Sequence, residues 1–175
     1  PFAVPTFALK LAMGEMAAWI KHGNGQKLWD ELYAPFGVRG FQAGSTGTQM
    51  FGWFRREIRS LADLDGLKFR TPGNQGRVLQ KLGVTPVSLP GGEIFPALQS
   101  GAIDGAEWVG PYNDLALGFY QVCRYYYSPG YHEPGPALQL TVNEQAWRSL
   151  PPDLQAIVRA AADAARPAPR RRSGC

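Results

Sequence analysis

The sequence predicts an α/β fold, on three observations. Between Leu67 and Val109, short runs suited to strands alternate with short runs suited to helices. Glycine and proline punctuate each change, with 21 Gly and 15 Pro in 175 residues showing no three-residue period. An apolar fraction of 45%, with 12% aromatic, is enough to build a core, which excludes a collagen-like or wholly disordered chain.

Residues 14–22 and 25–36 read as two helices broken by "HGNG", with Met16, Ala17, Trp19 and Ile20, then Leu28, Leu32 and Phe36, at three- and four-residue spacings. This is a helical hairpin. Val38 to Gly44 predicts a short strand, "STG" a turn, and "QMFGWF" an aromatic segment ahead of the charged "RREIRS". "LKFR" (67–70) is a strand, "NQGRVLQKLG" (74–83) a helix, and "VTPVSL" (84–89) a second strand. "GGEIFPALQSG" follows as a short helix with Glu93 in its first turn and Gly101 after its end. "AIDGAEWV" (102–109) is a third strand. Parallel strands require crossovers, so this alternation is a βαβαβ unit with a parallel sheet. A helix is expected from Asp114 to about Arg124. "ALQLTVN" alternates like a strand. "PPDLQAIVRAAADAA" is a helix with proline at its start and Leu154, Ile157, Val158 and Ala161 on one face.

The formal charge of +4 is local. Arg166, Arg170, Arg171 and Arg172 lie in the last ten residues; taking those four from the 18 basic groups leaves 14 against 14 acidic ones. A nucleic-acid-binding domain needs a basic patch that neutralises several phosphates, and the balanced body lacks one. A basic-tailed interaction protein would rest on those arginines alone. Cys123 and Cys175 cannot form a disulfide framework or a zinc site of ordinary spacing. No basic and apolar leader opens the chain, and no run approaches the ~18 apolar residues of a membrane span. Starting at Pro1 and ending on an Arg-rich scrap, the chain reads as a piece of a longer protein.

Ligands of an open parallel sheet bind at the carboxyl ends of its strands. Arg70 closes the first strand, and Glu107 with Trp108 closes the third, so all three point toward one crevice. A guanidinium there suits a planar carboxylate, which it grips through two parallel hydrogen bonds. Equally, Arg70 could pair with Glu107 and simply tie the strand ends together. A carboxylate beside a bound anion would repel it unless a hard cation with oxygen ligands lay between, and Gln49 and Gln139 are candidate neutral oxygens. His22 and His132 have no partners at metal spacing. An enzymatic alternative is a metal-assisted hydrolase or lyase using Glu107, Asp104 and His132, although no base and nucleophile pair is visible.

The stretch from "AGSTGTQMFGWF" through "LKFR", "LGVTPVSLPGGEIFPALQSGAIDGAEWVGPY" and "PGYHEPG" resembles the DctP-type substrate-binding proteins of tripartite ATP-independent periplasmic (TRAP) transporters. Within them it is similar to the subgroup that takes 2-oxo acids and related monocarboxylates, and the resemblance covers roughly residues 14–165. It implies a two-lobed periplasmic-binding-protein-like receptor, not an enzyme, that delivers its solute to a membrane permease, with residues 1–45 part of a first lobe. Residues 46–109 would form the second lobe, 110–165 a crossover strand and helices shared between lobes, and 166–175 a disordered basic tail. By the same resemblance, Arg70 meets the ligand carboxylate. A sodium or calcium ion bridges protein and ligand through Gln49, the Glu107 carboxylate, the Trp108 carbonyl and Gln139, and Gln49 and Trp108 also line the substrate. Trp53 and Trp108 would exclude water. With one lobe only partial, exposed apolar edges and a half-walled cleft are expected.

Overall fold

The computed structural model describes residues 3–4 and 11–165. In chain order its elements are β1 (Ala3–Val4), α1 (Met13–His22), α2 (Gly25–Tyr33), β2 (Val38–Gln42), β3 (Gly52–Phe54), β4 (Lys68–Arg70), α3 (Gly73–Gln80), β5 (Thr85–Val87), α4 (Gly91–Ser100), β6 (Gly105–Ala106), α5 (Pro111–Ala116), β7 (Tyr125–Tyr127), β8 (Ala137–Asn143), α6 (Glu144–Ser149) and α7 (Pro152–Ala164). The chain divides into two compact units, one formed by Pro1–Thr48 with Glu133–Cys175 and the other by Gln49–His132. The basic tail expected at 166–175 lies outside the described residues.

The first unit is built on an antiparallel sheet of order β1-β8-β2, with Val38 opposite Asn143 and Gln42 opposite Gln139. Helix α1 buries Met16 and Ile20 beside Trp29 and Ala137, and a second cluster joins Phe41, Trp147 and Ala162. The α1–α2 hairpin forms as expected because Gly25 sits where a Cβ would come within 2.7 Å of the Ile20 backbone. Its packing differs from the periodicity. Trp29 is buried, whereas Leu28, Leu32 and Phe36 are 52%, 64% and 72% exposed. Helix α7 behaves alike, burying Ala162 and leaving Leu154 and Ile157 exposed. Periodicity locates an apolar stripe but cannot say which stripe finds a partner.

The second unit carries a five-stranded sheet of order β5-β4-β6-β3-β7. The βαβαβ unit is present: β4 pairs in parallel with both β5 and β6, crossed by α3 and α4. Gly101 caps α4 at φ 78°, a left-handed conformation glycine adopts without steric cost. The sheet is nevertheless mixed, because β3 runs antiparallel to β6 and β7. Those two strands are the aromatic runs "GWF" and "YYY". Three residues are too few to show alternation, and their pairing comes from side-chain stacking instead: Trp53 lies opposite Tyr126 with ring centroids 4.0 Å apart and planes at 15°. The helix expected from Asp114 to Arg124 is corrected to α5 followed by a 3-10 turn at Phe119–Gln121. Gly118, at φ 72°, breaks it between them. One core lies under Phe54, Leu67, Phe69 and Leu79, and another under Ile94, Leu98, Ile103 and Phe119.

Candidate functional site

Parallel pairing brings the ends of β4 and β6 into register, with Arg70 opposite Ala106 and the Glu107 N–H donating to the Arg70 carbonyl at 3.1 Å. Arg70 and Glu107 are therefore neighbours by topology, and both are buried, at 8% and 4% exposure. Arg70 Nη1 donates to the Glu107 backbone carbonyl at 2.9 Å and to its Oε1 at 3.0 Å, while Nε donates to the Leu89 carbonyl at 3.1 Å. Burial lowers the guanidinium pKa from its ordinary value, and the Glu107 charge opposes that shift. An arginine remains charged under such pressure. The Arg70 Cζ lies over the Trp108 ring, 5.1 Å from its centroid. The indole is held in turn by Gly91, where a Cβ would meet the ring at 2.7 Å.

The pairing of Arg70 with Glu107, one of the two readings of the sequence, is present. The guanidinium ties the strand ends together, yet three of its five N–H groups do that work. The two on Nη2 donate to no described residue. A bidentate fork needs Nη2 together with either Nη1 or Nε, and both of those are occupied. A ligand carboxylate could meet Nη2 alone, and its second oxygen would need another partner.

Gln49 is 6% exposed and stands one residue before the ladder that continues β3 past β6, where the Met50 N–H donates to the Val109 carbonyl at 3.1 Å. Its own carbonyl accepts from the Gly130 N–H at 2.9 Å, a contact that leaves no room for a Cβ at Gly130. Gln49, Arg70, Glu107 and Trp108 thus belong to one unit. Gln139 belongs to the other, on β8, where its Oε1 accepts from the Tyr33 hydroxyl at 3.0 Å and its Nε2 donates to Thr141 at 2.8 Å. Trp53 acts as a structural indole: its Nε1 donates to Asp114 at 3.0 Å.

Asp104 does not join Glu107. It precedes β6 while Glu107 follows it, a strand separation of about 10 Å at ~3.3 Å per residue. Its Oδ2 accepts from the Lys68 N–H at 2.9 Å. Among the described residues no three His, Cys, Asp or Glu side chains cluster as a metal site. A cation here would draw on amide and carbonyl oxygens beside the Glu107 carboxylate, the hard donor set that suits sodium or calcium rather than zinc.

Sequence reasoning missed Asp114 as part of the site, and it named His132 without its neighbour. Asp114 is 1% exposed, and its carboxylate accepts from Trp53 Nε1, the Tyr126 hydroxyl and the backbone N–H groups of Val109 and Gly110, at 2.8 to 3.1 Å. It fixes the loop directly after Glu107 and Trp108. The "GPYND" spacing, with an acid four residues beyond Gly110, was the available signal. His132, 2% exposed, places Nε2 3.8 Å from Glu107 Oε2.

A buried arginine thus stands at the carboxyl end of the parallel β4–β6 pair, beside a buried carboxylate and an indole. The DctP family, the bacterial extracellular solute-binding proteins of family 7, matches residues 3–173, and the chain belongs to it. It is 52% identical over 144 residues to the monocarboxylate 2-oxoacid-binding periplasmic protein of a Nostoc species, an alignment covering 82% of this chain and 40% of that protein. A TRAP periplasmic solute binding protein of Colwellia psychrerythraea, solved with calcium and pyruvate, superposes with a TM-score of 0.85 and 48% identity over 89% of this chain and 47% of that one. Another, of Pseudoalteromonas atlantica with sodium and pyruvate, gives 0.81 and 44% over 95% and 48%. The chain spans about half the length of these relatives.

Proposed function

We propose that the chain is part of an extracytoplasmic receptor for a small 2-oxo or 2-hydroxy monocarboxylate, working in the periplasm and delivering its solute to the membrane subunits of a TRAP-type transporter. The observation that carries this reading is the state of Arg70: Nε and Nη1 are consumed by Leu89 and Glu107, while Nη2 donates to no described residue beneath the Trp108 ring. One oxygen of a ligand carboxylate would accept from Nη2. The other, with the 2-oxo or 2-hydroxy oxygen, would face the cation. Gln49, the Glu107 carboxylate and the Trp108 carbonyl are the groups that would hold a sodium or calcium ion, which supplies charge compensation between two carboxylates. Gln139 remains a donor on the resemblance alone. Trp108 would exclude water, strengthening both contacts by lowering the local dielectric. The names of the relatives speak for binding over the hydrolase or lyase reading, as does the separation of Asp104 from Glu107.

Titration calorimetry with pyruvate in calcium, in sodium, and after chelation with sodium excluded tests the proposal. Cation-dependent heat is expected. Absence of binding in either cation would reject it, and turnover of the acid would favour the enzymatic alternative.

A further inference from the structure

His132 is buried to 2% exposure, and neither ring nitrogen has a hydrogen-bond partner. A buried imidazole in that state gives up its contacts with water and receives none in return, an arrangement that calls for an explanation in each native protein where it is found. Replacing such a group by an apolar one of similar shape is stabilising or neutral, so its presence is a stability sacrifice. The ring does not drift at random. Tyr131 meets it edge-on, at 5.7 Å between centroids and 72° between planes. Its Nε2 faces Oε2 of Glu107 across 3.8 Å, beyond hydrogen-bond range but within a small rotamer adjustment. Arg70 occupies the other oxygen, Oε1, of the same carboxylate.

One oxygen of the Glu107 carboxylate accepts from Arg70 and the other lies toward the His132 ring. Building on the function proposed above, we propose that His132 is a positioning residue for Glu107, its neutral Nε2–H closing onto Oε2 in the liganded receptor and holding the carboxylate toward the cation.

The test compares His132→Leu and His132→Gln with the parent chain, by urea unfolding and by calorimetry with pyruvate in calcium. His132→Leu should unfold at an equal or higher urea midpoint and bind about tenfold more weakly, while His132→Gln, which keeps an N–H donor, should recover to within about threefold. In long-range proton–nitrogen spectra of the parent, adding calcium and pyruvate should leave the ring neutral, with its proton on Nε2 and shifted downfield. Unchanged affinity in His132→Leu would overturn the inference. So would a proton on Nδ1, or a loss of affinity that follows a loss of stability and is not rescued by glutamine. If the parent chain shows no cation-dependent binding of pyruvate, the functional reading itself falls, an outcome separate from these.

Discussion

Arg70 Nη1 donates to two oxygens of one residue, the backbone carbonyl and the Oε1 of Glu107, at 2.9 and 3.0 Å. A single nitrogen therefore stitches β4 to the end of β6. That structural role and the ligand role proposed above predict different consequences of substitution.

Arg70→Ala removes the proposed donor to the ligand and takes the guanidinium away from the buried Glu107 carboxylate. Affinity for pyruvate in calcium should fall by at least about 2 kcal/mol, roughly thirtyfold. Arg70→Lys should recover only part of it, because an ammonium cannot reach Leu89, Glu107 and the ligand together. Calorimetric affinities equal to that of the parent would remove Arg70 from the site.

Asp114 holds four donors, so Asp114→Ala would leave Trp53 Nε1, the Tyr126 hydroxyl and two backbone N–H groups without an acceptor. Unfolding in urea should show a loss of about 3 kcal/mol or more, since each buried orphan costs about 1–3 kcal/mol. Asp114→Asn, which keeps one acceptor oxygen, should lose less. A midpoint unchanged in the alanine variant would show that the network is dispensable.

In the other unit, Glu144 accepts from Arg39 at 2.9 and 3.1 Å and from Arg148 at 2.9 Å, and these hydrogen bonds push its pKa down to about 2. A carboxylate depressed in the folded state stabilises above its unfolded value, near 4.5, and that contribution is lost as the pH falls from there toward 2. Melting temperatures measured between pH 6 and pH 2.5 should drop more steeply in the parent than in Glu144→Gln. Parallel curves would contradict the pairing.

Exposed Leu28 and Leu32 on α2, Phe36 in the turn after it, and Leu154 and Ile157 on α7 should bind an apolar dye. Leu32→Glu with Ile157→Glu should reduce the fluorescence enhancement without lowering the urea midpoint, because neither side chain is buried. A parent chain that binds no excess dye would show these faces covered in solution.

Much of the site was legible before any coordinates. The alternation from Leu67 to Val109 places Arg70 and Glu107 at strand ends, and strand ends are where an α/β sheet holds its ligands. The antiparallel strands β3 and β7 were not legible, because aromatic strands of three residues carry no period and pair through stacking that only the fold supplies. Nor was the environment of His132: "PGYHEPG" gives it a place in the chain but not a neighbour.

What the amino-acid order determined alone is the βαβαβ unit, the identity of the residues at its carboxyl edge and the neutral charge of the body, since these follow from local periodicity and residue chemistry. The tertiary structure alone decided which apolar stripes are buried, that Trp29 goes inward while Leu32 stays out, and that Nε and Nη1 are the nitrogens of Arg70 taken up by Leu89 and Glu107. The physical reason is that burial and hydrogen-bond allocation are competitive. Each depends on every group that folding brings within reach, and no stretch of sequence records the outcome of that competition.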